Sequence, residues 1–132
     1  MNYLLDTHYM LWALADSKKL SKQAKAIITD PRHQVIVSAI SFWEVSLKVS
    51  LGKLRITGFK PEDLPEGCLQ MGFEIKELSS EESSTYHQLK AAYHKDPFDR
   101  MLIWQAICNK YTFVSADATV QKYVSEGLSI VT

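Results

Sequence analysis

Short apolar runs alternate with longer stretches of helical periodicity from one end of the chain to the other. That alternation restricts the fold more than any other feature. Residues 2–5, 35–38, 73–75, 112–115 and 128–131 read as strands. Between them, residues 7–15, 21–30, 39–51, 61–71, 80–92, 96–110 and 117–125 read as helices. Ser21 serves as a cap for the second, Gly52 is a stop for the third, and Asp96-Pro97 opens the sixth. The helix over 61–71 is the weakest, interrupted by Pro65 and Gly67, and that over 80–92 starts on the acidic, cap-like run from Ser80 to Ser83. Parallel neighbours need crossover connections, which are helical and right-handed. The pattern therefore predicts an α/β fold: a three-layer α/β/α sandwich around a central, mostly parallel sheet, with residues 1–132 forming a single domain. In such sheets ligands bind beyond the carboxyl ends of the strands, near a switch in strand order.

At 132 residues the chain can bury a self-sufficient core, and an apolar share of 46% excludes disorder. The longest apolar run, residues 9–15, is far short of the ~20 residues a membrane span requires. The expectation is a soluble cytosolic protein with no membrane partner. Cys68 and Cys108 lack metal or disulfide spacing and read as core thiols. Basic and acidic side chains balance at fifteen each, yet residues 1–60 carry nine Lys/Arg against four acids. The excess suits phosphates only modestly, and Lys18 to Lys25 reads equally as the wet face of a helix.

Functional expectations rest on where the acids fall. Asp6 closes the first strand and Asp117 follows the fourth, so both face one sheet edge; each could also be a helix cap. Asp96 and Asp99 frame the start of the next-to-last helix, where its dipole favours negative charge. Glu44 lies in mid-helix, where no terminus explains it. With Ser41 and Lys48 it forms a narrow polar stripe between an Ile40/Leu47/Leu51 flank and a Phe42/Val45/Val49 flank, the placement of a cleft-lining group. Acids gathered at one edge repel one another unless a cation compensates them. Oxygen donors without Cys or a His pair suit Mg²⁺ or Mn²⁺, and such ions activate water at phosphodiesters. A nuclease is the expectation.

Four segments carry a family resemblance: Leu4-Leu5-Asp6-Thr7-His8; Ser41-Phe42-Trp43-Glu44-Val45-Ser46-Leu47-Lys48 with Gly52-Lys53-Leu54; His94-Lys95-Asp96-Pro97-Phe98-Asp99-Arg100; and Val114-Ser115-Ala116-Asp117. Together they resemble the PIN domain, and more narrowly the VapC-type toxin ribonucleases of type II toxin-antitoxin pairs. The resemblance implies Mg²⁺- or Mn²⁺-dependent cleavage of RNA by metal-activated water. Asp6, Glu44, Asp99 and Asp117 match the metal-binding catalytic acids. Thr7, Lys48, Asp96, Arg100 and Ser115 fall in the same motifs as substrate or support residues. A cognate antitoxin and a homodimer are the implied partners. After Asp117, Ala118-Thr119-Val120-Gln121 replaces the aromatic residue that the family pattern places there.

His8, His87 and His94 read first as hydrogen-bonding residues rather than general bases, and Trp12, Trp43 and Trp104 as core or dimer contacts. Two other readings stand beside the nuclease. A catalytically silent PIN-like module would bind RNA or a protein without cutting. A haloacid-dehalogenase-like phosphatase would need a second Asp where this chain has His8.

Overall fold

The computed structural model describes residues 1–94 and 96–132; Lys95, inside the block that begins at His94, lies outside them. Among the described residues, five parallel strands form one sheet: β1 (Asn2–Leu5), β2 (Gln34–Ser38), β3 (Glu74–Lys76), β4 (Thr112–Val114) and β5 (Ser129–Val131). Their spatial order is β3-β2-β1-β4-β5. Six α-helices among the described residues connect and cover them: α1 (Thr7–Ala15), α2 (Lys22–Thr29), α3 (Ala39–Ser50), α4 (Leu64–Gln70), α5 (Ser80–Thr85) and α6 (Pro97–Asn109). A 3₁₀ segment, Ala118–Glu126, leads into β5.

Because successive strand residues face opposite ways, the pleat divides the apolar side chains into two cores. Tyr3, Leu5, Val35, Val37 and Val114 pack on one face with Tyr9, Met10 and Ile27. Leu4, Ile36 and Phe113 pack on the other with Leu102, Ile103 and Tyr123. This is the expected three-layer sandwich. Helix α3 enters the seam between the layers, Val45 in the first core and Ile40 in the second, which carries the polar stripe of Glu44 inside the protein.

Several expected elements shift for identifiable reasons. The helix expected over 80–92 ends at Thr85 and gives way to a 3₁₀ turn, Tyr86–Gln88, and extended backbone at Leu89. Arg100 takes the carbonyls of Leu89 (2.8 Å) and Ala91 (2.5 Å), groups that a continuing helix would engage. The helix starts at Ser80 as expected, opened by a capping box of Ser79 and Glu82. Pro65 does not interrupt α4, because it sits in the first turn where its missing N–H costs nothing. The segment after Asp117 is 3₁₀ rather than α. Cys68 is buried, but Cys108 lies on the exposed face of α6. Trp104 is buried, whereas Trp43 is 60% exposed and packs edge-on against Phe98, 5.0 Å between ring centres. No helix among the described residues is long and apolar enough to cross a membrane.

Candidate active site

The strand order reverses between β1 and β4. The chain moves from β1 outward through β2 and β3, then returns to lay β4 on the other side of β1. At that switch point Leu5 pairs with Val114, and Asp6 N–H donates to the Val114 carbonyl (3.1 Å). The next residues, Asp6 after β1 and Ser115 after β4, therefore emerge side by side at the carboxyl edge. Asp99 in the first turn of α6 and Asp117 complete the wall of a cleft of ≈ 380 Å³, which His8, Trp12 and Ser115 also line. Three acids from distant parts of the sequence share this space.

Each of these aspartates has a distinct environment. Asp6 caps α1, accepting from Tyr9 N–H at 2.8 Å. Burial raises its pKa above the usual carboxylate value, against the opposing pull of hydrogen bonds from Ser115 and Tyr9. Asp99 accepts no side-chain hydrogen bond among the described residues; burial first, then the negative charges of Asp96, Glu44 and Asp6, push it up to about 6. Asp117 lies on the other side of the usual value. His94 Nε2 stands 2.7 Å from its Oδ2, Thr119 N–H donates to its Oδ1 at 2.9 Å, and its pKa falls, chiefly through His94. Asp96 is the N-cap of α6, accepting from Phe98 N–H at 2.8 Å.

Glu44 is 3% exposed with both oxygens engaged. Thr7 Oγ1 donates to its Oε1 at 2.7 Å and Lys48 Nζ pairs with its Oε2, while Ser41 Oγ lies 2.9 Å from the Thr7 hydroxyl. Burial works against the Lys48 charge, but Glu44, Asp96 and Asp99 outweigh it and raise its pKa. Arg100 is a positioning residue rather than a free cation: Nε donates to Tyr86 Oη at 2.7 Å, and the remaining nitrogens hold the carbonyls of Leu89 and Ala91. Ser115 Oγ accepts from Asp117 N–H at 3.1 Å within its own turn, and its hydroxyl bonds Asp6, so that it ties the two acid-bearing turns together.

The nine motif residues thus gather at one end of the sheet, although Arg100 turns away into the loop before α6. Sequence reasoning missed two contributors. His94 secures Asp117, with Nδ1 3.3 Å from Tyr123 Oη, and Trp12 lines the cleft while also packing against the first core. The signal for His94 was its place at the head of the Asp96-Pro97-Phe98-Asp99 block.

The donor chemistry fits a hard divalent cation. Among the described residues no three His, Cys, Asp or Glu side chains stand close enough together to share an ion. Asp6 and Asp99 remain as the less engaged carboxylates, because Glu44 and Asp117 have their oxygens taken. Mg²⁺ is commonly held by one or two carboxylates, with water and substrate phosphate supplying the rest.

Comparison with known proteins agrees with this fold. No curated protein sequence matches. Among solved structures, the fold is similar to VapBC2 from Rickettsia felis bound to a promoter DNA fragment, at TM-score 0.66 and 18% identity over 99% of this chain and 98% of that one. It is also similar to FitAcB from Neisseria gonorrhoeae (0.63, 20% identity, 98% and 96%) and to VapBC-1 from nontypeable Haemophilus influenzae (0.67, 14%, 99% and 97%). The PIN domain model matches residues 3–125, almost the whole chain, and the chain belongs to the PIN domain family.

Proposed function

We propose that this protein is a Mg²⁺- or Mn²⁺-dependent endoribonuclease and the toxin of a toxin-antitoxin pair. The observation that carries the reading is the single cleft lined by Asp6, Asp99 and Asp117, in which Asp99 has no donor to offset its charge. Asp6 and Asp99 would hold the ion, with Glu44 and Asp117 completing the acidic set behind them. When bound, the ion lowers the pKa of a water and offsets the charge of the scissile phosphate.

The chain's own residues do the rest. Ser115 orients Asp6 through its hydroxyl and steadies the Asp117 turn. Thr7 and Lys48 fix the Glu44 carboxylate, and His94 fixes that of Asp117. Displacement of the 3′ or 5′ oxygen by water needs no covalent enzyme intermediate. Membership of the PIN family and the likeness to VapBC and FitAcB assemblies support the nuclease and a cognate antitoxin; a second copy of the chain is the further partner this reading implies.

Purified protein incubated with total RNA and Mg²⁺ or Mn²⁺ tests the reading. Cleavage is expected, abolished by EDTA and by Asp6→Asn while circular dichroism is unchanged. Cleavage that survives both treatments overturns the metal mechanism. Absence of cleavage, with folded protein and either ion present, favours the silent module.

A further inference from the structure

A second cleft opens beside the first, on the other side of the N-terminal turn of α1. It encloses ≈ 250 Å³, and its polar lining is Thr7, His8, Glu44, Lys48 and Lys53. His8 lines both clefts, so the two spaces meet across its side chain. Their charge is opposite in character. Three carboxylates line the larger; the smaller carries two lysines and one carboxylate, and that carboxylate, Glu44, is already paired with Lys48. Lys53 is exposed and has no ion-pair partner among the described residues, so it is the uncompensated charge of the smaller cleft.

The backbone places it there. Helix α3 ends with Gly52 at φ 71°, Gly52 N–H donating to the Val49 carbonyl (3.1 Å) and Lys53 N–H to the Lys48 carbonyl (2.9 Å). This pair of reversed bonds is the Schellman closure, which folds the chain back over the last helical turn. A Cβ on Gly52 would meet nothing within 4 Å, so glycine is needed for the backbone conformation and not for space. The reversal sets Lys53 on the wall that already carries Lys48, while Leu54 anchors the returning chain against the core.

We propose that the smaller cleft is a phosphate subsite in which Lys53 contacts a backbone phosphate next to the one being cut, the strand passing over His8 from one cleft to the other. The inference rests on the nuclease reading and narrows its substrate class. A ligand that fills both clefts carries phosphates on both sides of a nucleoside, so the bound strand extends at least one phosphate beyond the scissile one on the Lys53 side.

The test uses Asp99→Asn as a background that cannot cut, with a fluorescent single-stranded oligoribonucleotide and Mg²⁺, and reads binding by anisotropy over a range of salt. Adding Lys53→Ala is expected to weaken binding severalfold and to flatten the slope of log K against log salt by about 0.7 to 1, the signature of one lost phosphate contact on a single strand. Lys53→Arg is expected to retain both affinity and slope. Lys25→Ala, on the exposed face of α2, is expected to change neither. Lys53 is the residue to change because Lys48 partners a buried Glu44, and its removal would disturb folding. Equal binding and equal slope with and without Lys53, or RNA binding that is not detectable at all, overturns the subsite. The nuclease reading fails separately, on cleavage by the wild-type protein: wild-type cutting with a neutral Lys53→Ala sinks only the subsite, and Lys53-dependent binding without wild-type cutting sinks only the nuclease.

Discussion

Glu82 and Asp99 are both withdrawn from water, and the protein treats them in opposite ways. Glu82, 4% exposed, accepts from Ser79 N–H (3.0 Å), Gln105 Nε2 (3.1 Å) and Asn109 Nδ2 (2.6 Å), with Lys76 Nζ at 3.2 Å. Burial alone would raise its pKa, yet these four donors overcome burial and hold it at about 2. Asp99 has no such donors, faces three other acids, and rises to about 6. A carboxylate fully supplied with partners joins elements: Glu82 links α5 to β3 and α6, and through Gln105 to Ser38 at the start of α3 (2.5 Å). A carboxylate left without them raises the energy of the folded chain and marks a place reserved for something from outside.

The contrast breaks most decisively at Asp99. Under the proposed mechanism Asp99→Asn removes a carboxylate that would hold the ion but no hydrogen-bond partner, so RNA cleavage is expected to fall at least about a thousandfold, some 4 kcal/mol of transition-state stabilisation, with the melting temperature held or raised. Cleavage rates beside a thermal melt check both halves, and a large loss of stability would put Asp99 in the same class as Glu82. The complementary change, Glu82→Ala, leaves Lys76 without its ion-pair partner and takes one acceptor each from Gln105 and Asn109, and is expected to cost about 3 kcal/mol in denaturant unfolding. Its effect on kcat in the folded fraction is expected to be small.

The metal-free protein sharpens the comparison through pH. Asp99 binds its proton more tightly folded than unfolded, so its contribution to stability is greatest at low pH and declines as pH rises from the ordinary 3.8 to about 6. Glu82 does the reverse, contributing above 4.5 and losing that contribution as pH falls towards about 2. Each effect is on the order of 1–3 kcal/mol. Unfolding free energies measured in EDTA are expected to peak near pH 4, and Asp99→Asn is expected to flatten only the upper side of that peak.

Local signals were legible where they were sufficient. Asn2–Leu5 and Thr7–Ala15 fall where periodicity put them, because the break between them is made by Asp6, whose side chain caps the helix that follows. The site acids were readable for a related reason: a carboxylate just beyond a strand must lie at the sheet edge, and the polar stripe of α3 marked Glu44. The end of α5 was not readable, because Arg100, in the next helix, draws the Leu89 and Ala91 carbonyls out of helical bonding. For the same reason Asp117 could not be assigned its partner, since His94 reaches it over a long sequence separation and from outside any regular element. Of the two places open to Trp43, the core is excluded: its helix is apolar on both flanks, but position 43 lies on the outward side.

The central position of β1 sets a timetable for the cleft. Its edges are completed by β2 and by β4, and the amide of Asp6 waits for the carbonyl of Val114. Such a high contact order slows folding, since loop closure must precede the contacts that reward it. A chain still emerging from the ribosome already holds Asp6 and Glu44 but lacks the aspartates of the last third. The acidic cleft is therefore among the last parts of the fold to be assembled.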